Sequence, residues 1–378
     1  MMEQVYQIDR LLSYLEHDPG NPVLLCNLIH SLLENRRIDE AREWLQKALI
    51  HASEDPGVIA LQGQFYLGDG DALNAECNFQ KLLDLGHTHE SVFYNLAYAS
   101  LLQGNAHKAK DILKSADTPF LQAATCLLLV RCLHQTGDLD EALAALSDVH
   151  ADEAVLAAQV NGIRALIYLD KEDLQESRQW AEKTMAIDPG NFEALIAMAY
   201  CDFSAAELDT ASYFFDRVLK IRPDSGRAHL GKGLLMSLSN QQSKAIEHFN
   251  QALRDMPEHL GTWNAKAWAE ILQGEFKQAE QSLLAARNLE PRFAETQGTL
   301  AVVYAVQGKW DQAEKLAKLA MRLDKYAFSA QFAQVLVMEN KGDTGTARQR
   351  LDAIYQRPVS QNGSLESHIQ QFLHRTKP

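Results

Sequence analysis

The sequence predicts an all-α fold, a solenoid of about ten helical hairpins stacked along the chain. The first observation is a unit of 34 residues that recurs between Pro189, Pro223, Pro257 and Pro291. The second is that apolar residues within each unit are spaced for helices, with a period of about 3.6. A fixed period of this length is typical of one supersecondary unit stacked on copies of itself.

Each unit is predicted to hold two helices, here named A and B, joined by a tight turn. In one unit, Trp263, Ala267 and Ile271 form an apolar face for helix A, and residues 276–286 repeat that spacing for helix B. Gly274 stands between them, where the end of a helix requires a residue that tolerates positive φ. The proline that follows helix B cannot continue the helix.

A small residue near the start of helix B marks every unit. These marker residues are Ala41, Ala75, Ala109, Ala142, Ser177, Ala211, Ala245, Ala279, Ala313 and Ala347. Their spacing is 34 residues, except for one interval of 33 and one of 35. With the aromatic and proline positions, this order resembles the tetratricopeptide repeat over nearly the whole chain. The resemblance implies a right-handed α-solenoid whose A helices line a concave groove.

Three segments are expected along the chain. Residues 1–19 are predicted to form an N-terminal capping helix, equivalent to half a repeat, and residues 20–359 to form ten repeats in one solenoid. Residues 360–378 are predicted to form a C-terminal capping helix, because a solenoid must cover its apolar ends. Its helix-A positions are Leu365, Ile369 and Phe372. The alternative interpretation is a flexible docking tail that follows the linker Ser360–Gly363.

The turns between helices A and B are expected to use glycine in six units. These are Gly70, Gly104, Gly137, Gly274, Gly308 and Gly342. The fifth, sixth and seventh units have Glu172, Glu207 and Gln241 nearby instead. We expect those three turns to differ in local geometry.

The charge of the chain is uneven. The net charge is −14, and residues 1–189 carry 14 basic and 29 acidic residues, whereas residues 190–378 carry 22 and 21. Nucleic-acid binding requires clustered cations, so no nucleic-acid partner is expected. The acidic half has two interpretations: solvated outer helix faces, or a surface that attracts a basic partner.

The sequence predicts a soluble cytoplasmic protein. Residues 1–6 have neither a basic region nor an apolar core, and no run of about 18 apolar residues could span a bilayer. The five cysteines are an odd number at unrelated spacings, which favours a reducing compartment. No direct insertion into a membrane is expected.

No catalytic residue, metal site or cofactor is predicted. The sequence contains no nucleophile elbow, phosphate-binding glycine loop or zinc-protease motif. His87, His89 and Glu90 are close together, but one loop cannot supply the convergent ligands that a metal needs. We interpret this segment as a solvated loop and the chain as a non-enzyme.

Binding is predicted along the helix-A groove, at positions next to those that pack between repeats. The partner-binding residues predicted there are Tyr94, Tyr98, Arg131, Tyr200, Phe203, Trp268 and Phe332. Aromatic side chains often dominate the energetics of interfaces. The alternative is that tight winding of the solenoid makes the same residues part of the internal core.

The leading functional hypothesis is a non-catalytic scaffold or chaperone-like adaptor that holds an apolar or amphipathic segment of a protein or peptide partner. The family resemblance also suggests a bacterial assembly or secretion process. The alternative is a regulatory subunit of an enzyme complex that docks a basic partner through its acidic N-terminal half. The sequence leaves the identity of the partner and the oligomeric state open.

Overall fold

The predicted all-α helical-repeat fold is confirmed. The computed structural model describes residues 2–116, 122–147, 149, 151, 153–356, 358–360 and 363–364. These described residues contain 21 α-helices and one short pair of strands, in two compact units, Met1–Ala194 and Leu195–Pro378. None of the described helices is both long and apolar enough to cross a bilayer.

The first unit consists of one helix followed by five hairpins. Its helices are α1 (Met2–His17), α2 (Pro22–Glu34), α3 (Ile38–Ala52), α4 (Pro56–Gly68), α5 (Ala72–Asp84), α6 (Glu90–Leu102), α7 (Ala106–Ser115), α8 (Ala123–Gln135), α9 (Leu139–Ser147), α10 (Ala154–Asp170) and α11 (Leu174–Ile187). Even-numbered helices from α2 onwards are A helices, and the helix that follows each is its B partner.

The second unit contains five further hairpins, and α12 spans the boundary between the units. These helices are α12 (Phe192–Ser204), α13 (Leu208–Ile221), α14 (Gly226–Leu238), α15 (Gln242–Asp255), α16 (Leu260–Leu272), α17 (Phe276–Leu289), α18 (Ala294–Val306), α19 (Trp310–Leu323), α20 (Phe328–Asn340) and α21 (Thr344–Tyr355). The number of hairpins in the described chain therefore matches the ten marker residues.

The marker residues lie where helices A and B of a hairpin approach each other. All ten are fully buried, with 0% of their surface exposed. Ser177 fits this position because its hydroxyl donates a hydrogen bond of 2.9 Å to the backbone oxygen of Ala165 on the partner helix. A buried hydroxyl that found no acceptor would destabilise the fold.

Glycines allow equally close contacts around α14. A Cβ atom added at Gly231 would lie 2.0 Å from Cζ of Phe215, and one added at Gly233 would lie 2.5 Å from Cε1 of Phe249. Both phenylalanines are fully buried B-helix residues. The two glycines therefore let α14 pack directly against the rings of α13 and α15.

The two ends of the chain differ in structure. The N-terminal capping segment is helical, and α1 buries Ile8 and Leu15 against the first hairpin. At the other end, Pro358–Ser360 and Gly363–Ser364 form a short antiparallel pair. The start of the expected C-terminal helix, residues 360–364, is thus extended where it is described. Leu365, Ile369 and Phe372 lie outside the described residues, so the capping helix and the single solenoid stay predictions.

The turn between helices A and B has one residue with positive φ in all ten described hairpins. Those residues are Arg36, Gly70, Gly104, Gly137, Glu172, Ala206, Asn240, Gly274, Gly308 and Gly342. The expectation that the fifth, sixth and seventh turns differ in local geometry is wrong, because Glu172, Ala206 and Asn240 have positive φ as the turn glycines do. Ala206 and Asn240 adopt the left-handed conformation, because Glu207 and Gln241 are already the N-cap residues of their B helices.

Charged side chains directly after several markers connect neighbouring hairpins. In four repeats this residue pairs with a residue 27 to 29 positions later, in or beside the next turn. The pairs are Arg42–Asp69 (2.6 Å), Lys110–Asp138 (2.7 Å), Glu280–Lys309 (3.3 Å) and Glu314–Lys341 (2.5 Å). Hydrogen bonds from Lys318 and Lys341 lower the pKa of Glu314 to about 2.

Substitutions in the turns should separate the effect of φ from that of side-chain packing. Ala206→Gly should raise stability by about 0.5–1 kcal/mol, since alanine at positive φ is strained by roughly 1–2 kcal/mol and glycine is not. Gly274→Ala should lower stability by about 1–2 kcal/mol for the same reason. Chemical denaturation of each variant measures both changes.

Gly345→Ala is the matched control, because Gly345 lies in α21 with ordinary φ and has no atom within 4 Å of an added Cβ. It should leave stability unchanged or slightly higher. A stabilising Gly274→Ala would contradict the argument from φ.

The buried carboxyl of Glu270 should make stability depend on pH. Glu270 is 4% exposed, Lys266 Nζ lies 3.7 Å from Oε1, and Oε2 has no hydrogen-bond partner among the described residues. Burial raises the pKa of Glu270, against the opposing influence of Ser282 and Lys266. The folded state therefore favours the protonated form.

Below the ordinary value of 4.5 the carboxyl is protonated in both the folded and unfolded states, and its burial carries no charge penalty. The penalty develops as the pH rises through the raised pKa. Glu270→Gln should therefore raise the melting temperature at pH 7 and change it little at pH 4. Glu258→Gln, at an exposed loop position, is the control and should show no such difference. A Glu270→Gln variant that is less stable at pH 7 would contradict the prediction.

Candidate partner-binding surfaces

The structure places all seven predicted partner-binding residues on A helices. Tyr94 and Tyr98 lie on α6, Arg131 on α8, and the others on α12, α16 and α20. Five of the seven are half-buried, whereas Arg131 is exposed and Tyr98 is 37% exposed. Both interpretations of these residues therefore apply in part, because each side chain packs inside the protein and still presents some surface.

A cavity in the first unit brings three of the predicted residues together. This feature, called the tyrosine cavity, has a volume of about 410 Å³ and lies between α6, α8, α10 and the start of α12. Its lining includes Tyr94, Tyr98, Leu127, Leu128 and Arg131. The two tyrosine rings are four residues apart on α6 and stack with centroids 6.2 Å apart and an interplanar angle of 14°.

Polar groups at the start of α12 form one side of the tyrosine cavity. Asn191 accepts a hydrogen bond of 3.0 Å from the backbone nitrogen of Ala194 and so caps the helix. A Cβ atom at Gly162 of α10 would lie 2.3 Å from Oδ1 of Asn191, so only glycine permits this approach. The small residue in α10 thereby sets the position of Glu193, the second residue of α12.

The predicted cation of the groove is already paired. Arg131 Nη1 donates to Glu193 Oε1 at 2.8 Å, with 45% of the arginine side chain and 14% of the glutamate side chain exposed. Asp188, an exposed residue, also lines the cavity, and its Oδ1 accepts a hydrogen bond of 2.9 Å from Gly190 N. Sequence reasoning found Arg131 but missed both carboxylates, because they lie about 60 residues later in the chain.

Tyr200 makes its hydrogen bond and ring contact inside the second unit. Its hydroxyl donates a hydrogen bond of 2.8 Å to the backbone oxygen of Arg227. Its ring lies edge-on to Phe215, with centroids 5.1 Å apart. These contacts favour a packing role for Tyr200. Phe203, one turn further along α12, is half-buried.

A surface cluster in the second unit joins the other two predicted residues. Trp268 of α16 and Phe332 of α20 have ring centroids 6.2 Å apart, and Phe328 lies 6.0 Å from Trp268 and 5.9 Å from Phe332. Trp268 and Phe332 also pack against the buried residues Ala301 and Val302 of α18. These three aromatic residues are called the aromatic cluster.

Phe328 was missing from the prediction, although it is the most exposed member of the cluster at 40%. It is the first residue of α20, and its ring is parallel to that of Phe332 with an interplanar angle of 5°. The signal was present in the sequence, since residues four apart on a helix share one face. The prediction considered only positions further inside helix A.

The histidine-containing loop before α6 has a structural role. His89 is the N-cap residue of α6, and Glu90 Oε1 accepts a hydrogen bond of 2.6 Å from Gln122 N. In the part of the chain that the structure describes, no group of three or more His, Cys, Asp or Glu residues could hold a metal ion. Burial raises the pKa of Cys26 and Cys132 to about 11, which disfavours their reactive thiolate forms.

Several solved structures are similar to this chain at low sequence identity. IFIT1, as a monomeric mutant with m7Gppp-AAAA, is 14% identical with a TM-score of 0.52, over 93% of this chain and 94% of that chain. PilW, a type IV pilus biogenesis factor, is 20% identical with a TM-score of 0.45, over 56% and 98%. Yeast Tom70 is 15% identical with a TM-score of 0.40, over 88% and 84%. The likeness to IFIT1 supports the fold alone.

Two family models match parts of the first unit, whereas no curated protein matches the sequence. Residues 68–149 match the model for anaphase-promoting complex, cyclosome, subunit 3. Residues 127–192 match a tetratricopeptide repeat model, which falls on the hairpins α8/α9 and α10/α11. Those hairpins share the buried markers and turn geometry of the other eight. The chain thus carries tetratricopeptide repeats, as the sequence predicts.

Proposed function

We propose that this protein is a non-catalytic cytoplasmic scaffold or chaperone-like adaptor that holds an apolar or amphipathic segment of a protein partner. Proteins built of tetratricopeptide repeats generally mediate protein–protein interaction. Their surfaces are rigid because every hairpin packs on its neighbours, and such a surface suits the capture of another chain. The assembly or secretion process that the family resemblance suggests belongs to this proposal as well.

The aromatic cluster is the observation that carries the proposal. Three large rings lie within about 6 Å of one another, and the outermost, Phe328, leaves 40% of its surface in water. Aromatic side chains held rigidly by their neighbours bury much area on binding and lose little conformational entropy. Trp268 and Phe332 support Phe328 from below, as anchors of protein interfaces are typically supported.

Substitution of Phe328 should reduce partner capture without unfolding the protein. Affinity purification of the full chain with Phe328→Ala should recover partners about tenfold less than the unchanged chain, as expected for the loss of an interface anchor. Tyr213→Ala is the matched control, since Tyr213 is 58% exposed on the B helix α13. Equal recovery with both variants would contradict a role for the aromatic cluster.

Trp268→Ala tests the same surface by removing a ring that supports Phe328. We expect weaker capture with helicity retained in circular dichroism, and a loss of stability of about 1–3 kcal/mol from the missing ring. Thermal unfolding measures the second effect. A loss well above that range, with capture unchanged in the folded fraction, would show that Trp268 is core rather than part of the binding surface.

The second candidate is a regulatory subunit that docks a basic partner through the first unit. That unit has 14 basic and 30 acidic residues, and in its described part at least eight of the basic residues pair with eight different carboxylates. The excess negative charge therefore lies on the remaining carboxylates. Recovery at 0.5 M salt separates the two candidates, since screening weakens docking by charge and leaves apolar capture intact.

A further inference from the structure

The tyrosine cavity combines features that together select one kind of side chain. Its volume of about 410 Å³ exceeds that of a single side chain, and the stacked rings of Tyr94 and Tyr98 form part of its lining. Leu127, Leu128 and Phe192 also line it and provide apolar surface beside the rings. A ligand that fills this cavity must therefore offer one group for the aromatic faces and apolar groups on either side.

The charge of the cavity lining favours a cation. Its charged residues are Arg131, Asp188 and Glu193, and Arg131 donates to Glu193 at 2.8 Å. This pairing neutralises the cavity's own cation and leaves the exposed carboxylate of Asp188 as the excess charge. The unit around it carries a net charge of −16, which attracts cations and repels anions over distances of about a Debye length.

We propose that the tyrosine cavity binds an arginine side chain of the protein partner, flanked there by apolar residues. This proposal rests on the proposed function and names the chemistry of the segment that the first unit holds. A planar guanidinium stacks on a tyrosine ring and donates paired hydrogen bonds to a carboxylate. The contact between Arg131 and Glu193 shows that a guanidinium pairs with one carboxylate of this cavity. Lysine lacks the planar group and should bind more weakly.

The test uses the full chain labelled with 3-fluorotyrosine and observed by ¹⁹F NMR. The signals of Tyr94 and Tyr98 are assigned through Tyr94→Phe and Tyr98→Phe. The probes are Nα-acetyl-arginine amide, the tripeptide acetyl-Leu-Arg-Leu-amide, and Nα-acetyl-citrulline amide, which has the shape of arginine without its charge. The arginine amide should shift both signals at a concentration about tenfold lower than the citrulline amide does, as expected for one charge–aromatic contact. The tripeptide should bind more tightly than the arginine amide.

Two isosteric variants locate the charge effect. Asp188→Asn should weaken binding of the arginine amide by about fivefold, since it removes the carboxylate and keeps the hydrogen bond that Gly190 donates. Glu182→Gln removes the same charge at an exposed position outside the cavity lining and should change the affinity by less than about twofold.

Several results would overturn the proposal. Equal affinities for the arginine and citrulline amides would show that charge is not recognised. Tighter binding of Nα-acetyl-glutamate amide would show that Arg131 recognises a partner carboxylate instead. The absence of any shift up to about 50 mM probe, well above the millimolar range expected for one side chain, would show that the cavity is not a site. None of these results bears on capture by the aromatic cluster, so the proposed function can fail or succeed independently.

Discussion

The structure depends on the close approach of two helices at the same point in every hairpin. The ten marker residues are fully buried, and nine of them are alanine. A larger side chain there would force the helices apart, and each hairpin would then lose contact with its neighbours as well. The same constraint recurs with glycine at Gly231 and Gly233, where phenylalanine rings occupy the space of a side chain. Small residues in register thus determine where all the other side chains lie.

The packing of the hairpins also limits which side chains can bind a partner. The A-helix positions that pack between repeats are occupied by core side chains. Side chains at the adjacent positions are therefore partly buried and partly exposed. Tyr200 faces inward, because its hydroxyl is hydrogen-bonded and its ring is packed within the second unit. Phe328 faces outward. It is the first residue of α20, and two further rings support it without covering it. A binding surface arises here from partial burial, which holds an aromatic ring rigid while leaving it accessible.

The charged residues have two roles: some form ion pairs between hairpins, and others determine the net charge of the surface. Pairs such as Arg42–Asp69 and Glu314–Lys341 connect the residue after a marker to the next turn, and exposed pairs of this kind contribute little to stability. The regular spacing of these ion pairs indicates that they help to align neighbouring hairpins rather than to stabilise the fold strongly. In the first unit such pairs engage more than half of the basic residues, and the carboxylates outnumber the basic residues, so the surplus negative charge affects which partners can approach. In the tyrosine cavity, the pairing of Arg131 with Glu193 likewise neutralises the basic residue and leaves a carboxylate in excess.

The sequence by itself determined the helices, the ten-fold repetition, the buried small residues and most turns. These features depend on contacts within one hairpin or with its neighbour, and a period of 34 residues records such contacts directly. It also located the aromatic residues of the A helices. Only the tertiary structure decided which of them face inward, that Glu193 pairs with Arg131 in a cavity that Asp188 also lines, and that Phe328 completes a cluster with Trp268. Those contacts join residues 60 or more positions apart through helix packing, and helix packing depends on the shapes of side chains that no local pattern specifies.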